Sequence, residues 1–308
     1  MDLSNSLSVL RNTLLLSCAC VALGHAAQPK SATQLHEAAP SPLLDCNGLP
    51  CVMVTVGRSK PIRLAIDTGN ANSFIDEDLA HALRLKPEPI LGGDGKAVAG
   101  VAKAHAKSVA IGGVVLDDLT VVLGELKSEK MKGLIPDVDG ILAYTAFKDR
   151  VLTLDFRNNS ISVSAAGAGR GADGKPMTHP TFGAKGPPIV ATEGFEIGGK
   201  PIVVQVDTLY AGSLLIYPTS VDKLGLTKLA GSAQRRHFPF TDGGVDMLEA
   251  QGVPETFDGK ELLKNAPLYF VTPGVHLPDG LFDGTVGVAL MKGHVVTFDF
   301  HANSFSIQ

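Results

Sequence analysis

The chain has 308 residues, about twice the size of a common single domain, so we expect two domains. Its 27 basic and 31 acidic side chains give a net charge of −4, and no basic run offers a surface for nucleic acid. A hydrophobic content of 44% with 19% charged residues excludes a disordered chain. The 34 glycines and 19 prolines indicate many turns and short strands.

The first 26 residues are typical of a secretory signal peptide. Arg11 supplies a positive charge, Leu14–Leu23 form an apolar run, and small residues follow at the expected cleavage site. The run is too short to span a bilayer as a helix. The alternative is a buried helix, for which no partner segment is evident downstream. The sequence therefore predicts an exported protein, either periplasmic or secreted.

A second interpretation of this segment is lipid attachment. Leu15–Cys18 resembles a bacterial lipobox, although leucine before the serine is not its commonest form. A lipid anchor at Cys18 would tether the protein to a membrane without changing its fold.

Cys46 and Cys51 are the only cysteines that remain after the signal peptide. They lie five residues apart around Asn47–Pro50, which has the composition of a turn. In an exported protein this spacing favours a local disulfide bond. The alternative is a metal site, but no nearby cysteine or histidine pair completes four ligands.

Strand patterns dominate the chain after residues 27–45, which are rich in alanine, proline and serine and are predicted to be a linker or short propeptide. Short runs of β-branched residues are bounded by glycine, asparagine and aspartate. These runs are residues 52–56, 61–66, 108–111, 119–123 and 151–156. Only Asp76–Leu85, with its acidic first turn, is typical of a helix. The predicted class is all-β with short helices.

The second half of the sequence repeats the first. Asp139–Val163 align without gaps on Asp283–Ile307, at an offset of 144 residues (283 − 139). Pro61–Thr68 align on Pro201–Thr208 at an offset of 140 (207 − 67). Matches in the same order and at similar offsets indicate two copies of one unit. We predict an N-terminal lobe at 46–165, an interlobe linker at 166–188 and a C-terminal lobe at 189–308.

In each copy an apolar strand ends in Asp-Thr, at Asp67-Thr68 and at Asp207-Thr208. A carboxylate at the end of a buried strand is costly unless it is paired or hydrogen-bonded. If the copies pack about a pseudo-twofold axis, the two aspartates face each other and share one proton. One then acts as a base on water while the other protonates a carbonyl. This pattern predicts peptide hydrolysis without a metal ion, a cofactor or a covalent intermediate.

The sequence resembles the pepsin/retropepsin superfamily of aspartic proteases over residues 50–308. Ile66–Ile75 resemble the catalytic loop of that family, and Asp139–Ala143 and Asp283–Gly287 resemble the apolar segment behind each loop. The resemblance implies a bilobal pepsin-like fold built from two duplicated β-barrel-like lobes. It also implies an aspartic endopeptidase that acts as a monomer on peptide or protein substrates. The residues that match the family's site are the catalytic Asp67 and Asp207 and the supporting Thr68, Gly69 and Thr208.

In this family the substrate lies extended in a cleft between the lobes, beneath a β-hairpin flap. The flap falls within Leu91–His105 of this sequence. Gly92, Gly93 and Gly95 are expected to form its turn.

The second catalytic loop departs from the family pattern. Leu209 stands where the family has glycine, and Tyr210 follows it, so we expect added bulk at the floor of the cleft. Ala143 stands where glycine is usual in the first copy. The alternative function is therefore a catalytically impaired pepsin-like protein that binds extended peptides in the cleft. A third reading is an unrelated structural β-protein of the cell envelope, and it would be supported if the two Asp-Thr loops did not meet.

Overall fold

The computed structural model describes residues 39–92, 95–128, 131, 137–165, 174–181, 188–238, 245–272 and 281–308. The predicted signal peptide, the proposed lipid anchor at Cys18 and the flap residue Gly93 lie outside these residues. So do 166–173 and 182–187 of the predicted interlobe linker.

Strands predominate in the described chain, which confirms the predicted all-β bilobal class. The strands are β1 Ser41–Pro42, β2 Leu44–Cys46, β3 Leu49–Val56, β4 Ile62–Asp67, β5 Ser73–Asp76, β6 Glu88–Leu91, β7 Ala97–Ile111, β8 Val114–Gly124, β9 Gly140–Ala143, β10 Arg150–Asp155, β11 Ser160–Ala165, β12 Lys175–Thr178, β13 Ala191–Ile197, β14 Lys200–Val206, β15 Leu214–Ile216, β16 Gln234–Phe238, β17 Val245–Ala250, β18 Glu255–Phe257, β19 Lys260–Leu263, β20 Leu268–Val271, β21 Gly284–Val286, β22 Val295–Asp299 and β23 Ser304–Ile307.

Helices in the described residues are short. They are α1 Glu77–Ala82, α2 Pro218–Val221 and α3 Thr227–Ser232, with 3-10 turns at Tyr144–Phe147 and Val288–Leu290. Helix α1 lies within the predicted helical segment, and the side chain of Asp76 caps its first turn by accepting from the N–H of Leu79. Among the described helices, none has the length and apolar character needed to cross a membrane.

The first lobe is a closed barrel. Its strands follow the order β3-β4-β9-β5-β8-β7, and pairing between β3 and β7 closes the ring. Strand β4 begins with alternating burial, then becomes buried on both faces from Leu64 to Asp67. Leu64 and Ile66 belong to the main core, and Ala65 on the other face lies in a smaller apolar cluster with Cys46 and Cys51. The strand therefore delivers Asp67 to the surface between the lobes.

The second lobe has the same strand pairing. Strand β14 runs parallel to β21, β21 antiparallel to β15, and β15 parallel to β20. The first lobe pairs β4, β9, β5 and β8 in the same senses. Strand β18 pairs with β13 at the place where β7 pairs with β3. Each lobe thus presents the end of its β4-type strand to the other lobe.

A shared antiparallel sheet, in the order β1-β11-β10-β22-β23-β12, joins the two lobes. Its centre is the pair Thr153 and Thr297, which face each other in register with hydroxyl oxygens 3.4 Å apart. The predicted linker at 166–188 contributes a strand to this sheet, because Lys175–Thr178 pair with β23. The predicted leader at 27–45 likewise contributes Ser41–Pro42, which pair with β11. The last hairpins of the two halves meet in this sheet through the pairing of β10 with β22.

Cys46 and Cys51 are joined by a disulfide bond across the β2–β3 hairpin. The intervening Asn47 and Gly48 both have positive φ, at 57° and 88°, as a two-residue hairpin turn requires. Both cysteines are buried in a cluster with apolar residues of β4, β5 and β9. The disulfide thus covers an apolar layer that lies outside the barrel and beside the lobe interface.

Candidate active site

The two Asp-Thr loops meet between the lobes through the backbone and side chains of their threonines. The N–H of Thr68 donates to Oγ1 of Thr208 at 3.0 Å, and the N–H of Thr208 donates to Oγ1 of Thr68 at 3.2 Å. The hydroxyl of Thr68 donates to the carbonyl of Val206, and that of Thr208 to the carbonyl of Ile66, at 2.8 and 2.6 Å. Both threonines are fully buried. The two loops therefore meet, and the separation that would have supported an unrelated structural β-protein is not observed.

Each aspartate is held by its own loop. Oδ1 of Asp67 accepts from the N–H of Gly69 at 2.9 Å, and Oδ1 of Asp207 accepts from the N–H of Leu209 at 2.8 Å. Asp67 is buried, and Asp207 is partly exposed. Because each crossed threonine directly follows an aspartate, the contact that joins the lobes also fixes the backbone from which the two carboxyl groups extend.

The environment raises the pKa of both carboxyl groups. Burial raises the pKa of Asp67 well above its usual range, and the charge of Asp207 raises it further. Burial also raises the pKa of Asp207, while backbone N–H groups of its own loop oppose that rise. Two coupled carboxyl groups with raised pKa values hold one proton between them over part of the pH range. That is the state required for paired acid and base chemistry.

Gly69 lies directly against the carboxyl group of Asp207. A Cβ atom added at Gly69 would lie 2.5 Å from Oδ2 and 2.7 Å from Oδ1 of Asp207. Both distances are far shorter than a normal contact. Position 69 therefore has to be glycine for the second aspartate to approach the first loop.

We expect Gly69→Ala to abolish the geometry of the dyad, since either Asp207 or the first loop must move to accept the methyl group. Hydrolysis should fall by about a hundredfold, the loss expected for a displacement of about 1 Å. The matched control is Gly231→Ala, because Gly231 lies in α3 and an added Cβ there meets nothing within 4 Å. Activity equal to wild type in Gly69→Ala would contradict this assignment.

A second aspartate in each lobe supports the β4-type strand. Oδ2 of Asp139 accepts from the N–H of Arg63 at 2.9 Å, and Oδ2 of Asp283 accepts from the N–H of Val203 at 3.0 Å. Lys127 pairs with the first and Lys223 with the second, at 2.6 and 2.7 Å. Burial raises the pKa of each carboxyl group, but the lysine and the backbone N–H lower it more, so both stay charged. The sequence pattern identified these aspartates but gave no signal for their lysine partners.

Residues 52–146 match the family model described as aspartyl protease. The first lobe is thus similar to the aspartyl proteases. The matched segment contains Asp67, Thr68 and Gly69, whereas Asp207 and Thr208 lie outside it. No curated protein matches the chain.

Leu209 of the second loop packs against the aspartyl protease-like first lobe. Its side chain contacts the apolar cluster that contains Ala65, Phe74, Ile141 and the disulfide. The side chain of Leu209 thus faces the opposite lobe, and its place at the cleft floor stays a prediction. The cluster lies beside the lobe interface, where an apolar side chain gains more than it would facing solvent.

Tyr210 lies against its own loop. Its ring covers Gly212, where an added Cβ would collide with the hydroxyl group, and its Cδ1 lies against Gly287. The hydroxyl is buried without a hydrogen-bond partner among the described residues, and burial raises the pKa of Tyr210. The tyrosine is therefore accommodated by two glycines of the second lobe.

The segment predicted to hold the flap contains the β6–β7 hairpin, in which Leu91 pairs with Ala97. The N–H of Gly92 donates to the carbonyl of Lys96 at 2.7 Å, and Gly95 has a φ of 75°. Leu91 is 46% exposed. Its role as a flap stays a prediction.

In the described ranges no group of three or more histidine, cysteine, aspartate or glutamate residues is arranged to hold a metal ion.

Proposed function

We propose that the protein is an aspartic endopeptidase in which Asp67 and Asp207 form the catalytic dyad. The observation that carries the proposal is the crossed hydrogen bonding of Thr68 and Thr208, which joins the two loops at one point. The raised pKa of both aspartates supports it, and so does the aspartyl protease match of the first lobe.

In the proposed mechanism Asp67 carries the proton and Asp207 is the base. Asp67 is the more buried of the two, and it is the one whose pKa the neighbouring charge raises. Asp207 takes a proton from a water molecule, whose oxygen attacks the peptide carbonyl carbon. Asp67 donates its proton to the carbonyl oxygen. The tetrahedral intermediate then breaks its C–N bond as Asp207 gives its proton to the leaving nitrogen and Asp67 takes back a proton from one hydroxyl group of the intermediate.

The remaining parts of the proposal concern the molecule as a whole. We propose that the two lobes are copies of one unit, since they share a strand pairing pattern and two aligned sequence segments.

The chain acts as a monomer, because it supplies both aspartates itself. It is exported to the periplasm or secreted after loss of residues 1–26, with a lipid anchor at Cys18 as the alternative. Its partner is a peptide or protein substrate, without a cofactor or nucleic acid.

Cleavage of a peptide library by the purified protein tests the proposal. Reactions across a pH series are analysed by mass spectrometry, with and without a pepstatin-type mimic of the transition state. We expect cleavage at internal peptide bonds that the mimic suppresses. Cleavage that the mimic leaves unchanged would contradict a carboxylate dyad.

The alternative is an impaired pepsin-like protein that binds extended peptides without cleaving them. It is motivated by Leu209 and Tyr210 in the second catalytic loop. Peptides that bind the protein and are recovered intact would support this alternative against the peptidase.

A further inference from the structure

Each catalytic loop contacts the opposite lobe, and the two contacts differ in kind. Nε2 of Gln205, two residues before the second aspartate, donates to the carbonyl of Gly69 in the first loop at 3.0 Å. Gln205 is buried on β14, so this amide would lack a partner for its N–H without the first loop. The contact ties the first loop to the second lobe.

A chain of hydrogen-bonded side chains orients the amide group of Gln205. Thr285, its register partner on β21, donates from Oγ1 to Oε1 of Gln205 at 3.5 Å. The hydroxyl of Tyr217 lies 2.9 Å from the same Oγ1. Thr285 and Tyr217 are buried, so the orientation of the amide is fixed by groups that have few other partners.

The matching position in the first lobe is apolar. By the offset of 140 that aligns the two aspartates, Gln205 corresponds to Ala65 and Gly69 corresponds to Leu209. Ala65 pairs in register with Ile141, as Gln205 pairs with Thr285. Leu209 packs against the cluster that contains both Ala65 and Ile141.

The lobes therefore hold the equivalent positions 69 and 209 by different contacts, a hydrogen bond at Gly69 and apolar packing at Leu209. Position 69 must be glycine, since a Cβ would strike Asp207, so the second lobe can contact this residue only through its backbone, here the carbonyl group. A glutamine reaches that carbonyl. Position 209 carries a side chain, so the first lobe holds it by apolar contact and needs a small residue at Ala65.

We propose that Gln205 is a positioning residue for the first catalytic loop and that Leu209 does the same for the second. The glycine-to-leucine departure in the second motif is then compensated by alanine at 65 and does not mark a lost site. The effect on catalysis rests on the proposed peptidase function, whereas the packing relation does not.

A double-mutant cycle of thermal unfolding tests the packing relation without any activity. The variants are Ala65→Gln, Leu209→Gly and the double variant, each compared with wild type. Each single change should lower Tm. Ala65→Gln places an unpaired amide in an apolar cluster, and Leu209→Gly removes an apolar contact. The double variant allows the new amide to reach the carbonyl at position 209. The loss of Tm in the double variant should be about 3 °C smaller than the sum of the two single losses. Strict additivity would overturn the inference.

Kinetics of Gln205→Leu test the positioning role. The leucine keeps the volume but cannot donate to Gly69, so kcat should fall by about tenfold while KM stays within about twofold. The same change at an unrelated exposed site, Gln251→Leu, should leave both constants unaltered. An unchanged kcat in Gln205→Leu would overturn the role. If the wild type cleaves no peptide, the proposed function fails. The unfolding cycle still decides whether the side chains at positions 65 and 209 are energetically coupled.

Discussion

Asp67→Asn and Asp207→Asn should each reduce peptide hydrolysis by about a thousandfold or more. An asparagine cannot exchange a proton with water or with a carbonyl, so neither variant can complete the acid and base steps. The crossed threonine hydrogen bonds use backbone and hydroxyl groups only, so both variants should still fold. The measurement is kcat/KM on a cleaved peptide, together with the circular dichroism spectrum of each variant.

Asp149→Asn is the matched control for these two changes. Asp149 is exposed and has a φ of 59°, a conformation that asparagine tolerates as well as aspartate does. Its activity should equal that of the wild type. Unchanged turnover in Asp67→Asn would rule out the dyad, and loss of activity in all three variants would show that the assay reports on something else.

The second large effect is expected at Glu255, which lies in the core of the second barrel. Glu255 is 1% exposed and pairs in register with Ile197, and neither carboxyl oxygen has a hydrogen-bond partner in the described residues. In the first barrel the matching pair is Val109 and Val56, both buried. A carboxyl group thus occupies a position that is apolar in the other lobe. Burial raises the pKa of Glu255 to about 8.

This raised pKa makes the folded protein less stable as the pH increases. Below the unfolded pKa of about 4.5, Glu255 is protonated in both states and contributes no pH dependence. Between about 4.5 and 8 the unfolded chain releases the proton while the folded chain retains it, so the free energy of unfolding decreases. The loss over this window is about 5 kcal/mol at most, and above pH 8 it levels off.

Glu255→Val should remove this part of the pH dependence. The variant carries the residue that stands at the matching position of the first lobe, Val109. Denaturant unfolding at pH 4.5, 6 and 8 should show that the free energy of unfolding of the variant, relative to that of the wild type, increases as the pH rises. Asp67 and Asp207 also have raised pKa values and contribute in the same direction, so the test is the difference between variant and wild type. Glu261→Gln, at an exposed site, is the control and should follow the wild type. Parallel pH profiles for Glu255→Val and the wild type would contradict the account of Glu255.

The features of the fold that depend on short stretches of sequence could be predicted. Alternating β-branched runs gave the strand class, and the acidic turn after Asp76 predicted α1. The Asp-Thr loops stood out because each follows an apolar strand. The aligned segments placed both at the same point of a repeated unit.

Pairings between distant segments could not be predicted in the same way. Lys175–Thr178 have no strand pattern of their own, and they form β12 because β13 and β23 offer edges on either side. Gln205 lies in an otherwise apolar run, where only its alignment with Ala65 distinguishes it. The direction of Leu209 depends on an apolar cluster that β2, β4, β5 and β9 build together, which no local pattern reveals.

Binding of a pepstatin-type transition-state mimic is the most direct test of the claim that Asp67 and Asp207 form one site. The hydroxyl of such a mimic stands for the attacking water and binds where both carboxyl groups converge. Isothermal titration of the wild type should give one bound mimic per chain, with affinity lost in Asp67→Asn and in Asp207→Asn and kept in Asp149→Asn. Binding that depends on only one of the two aspartates would contradict a shared site.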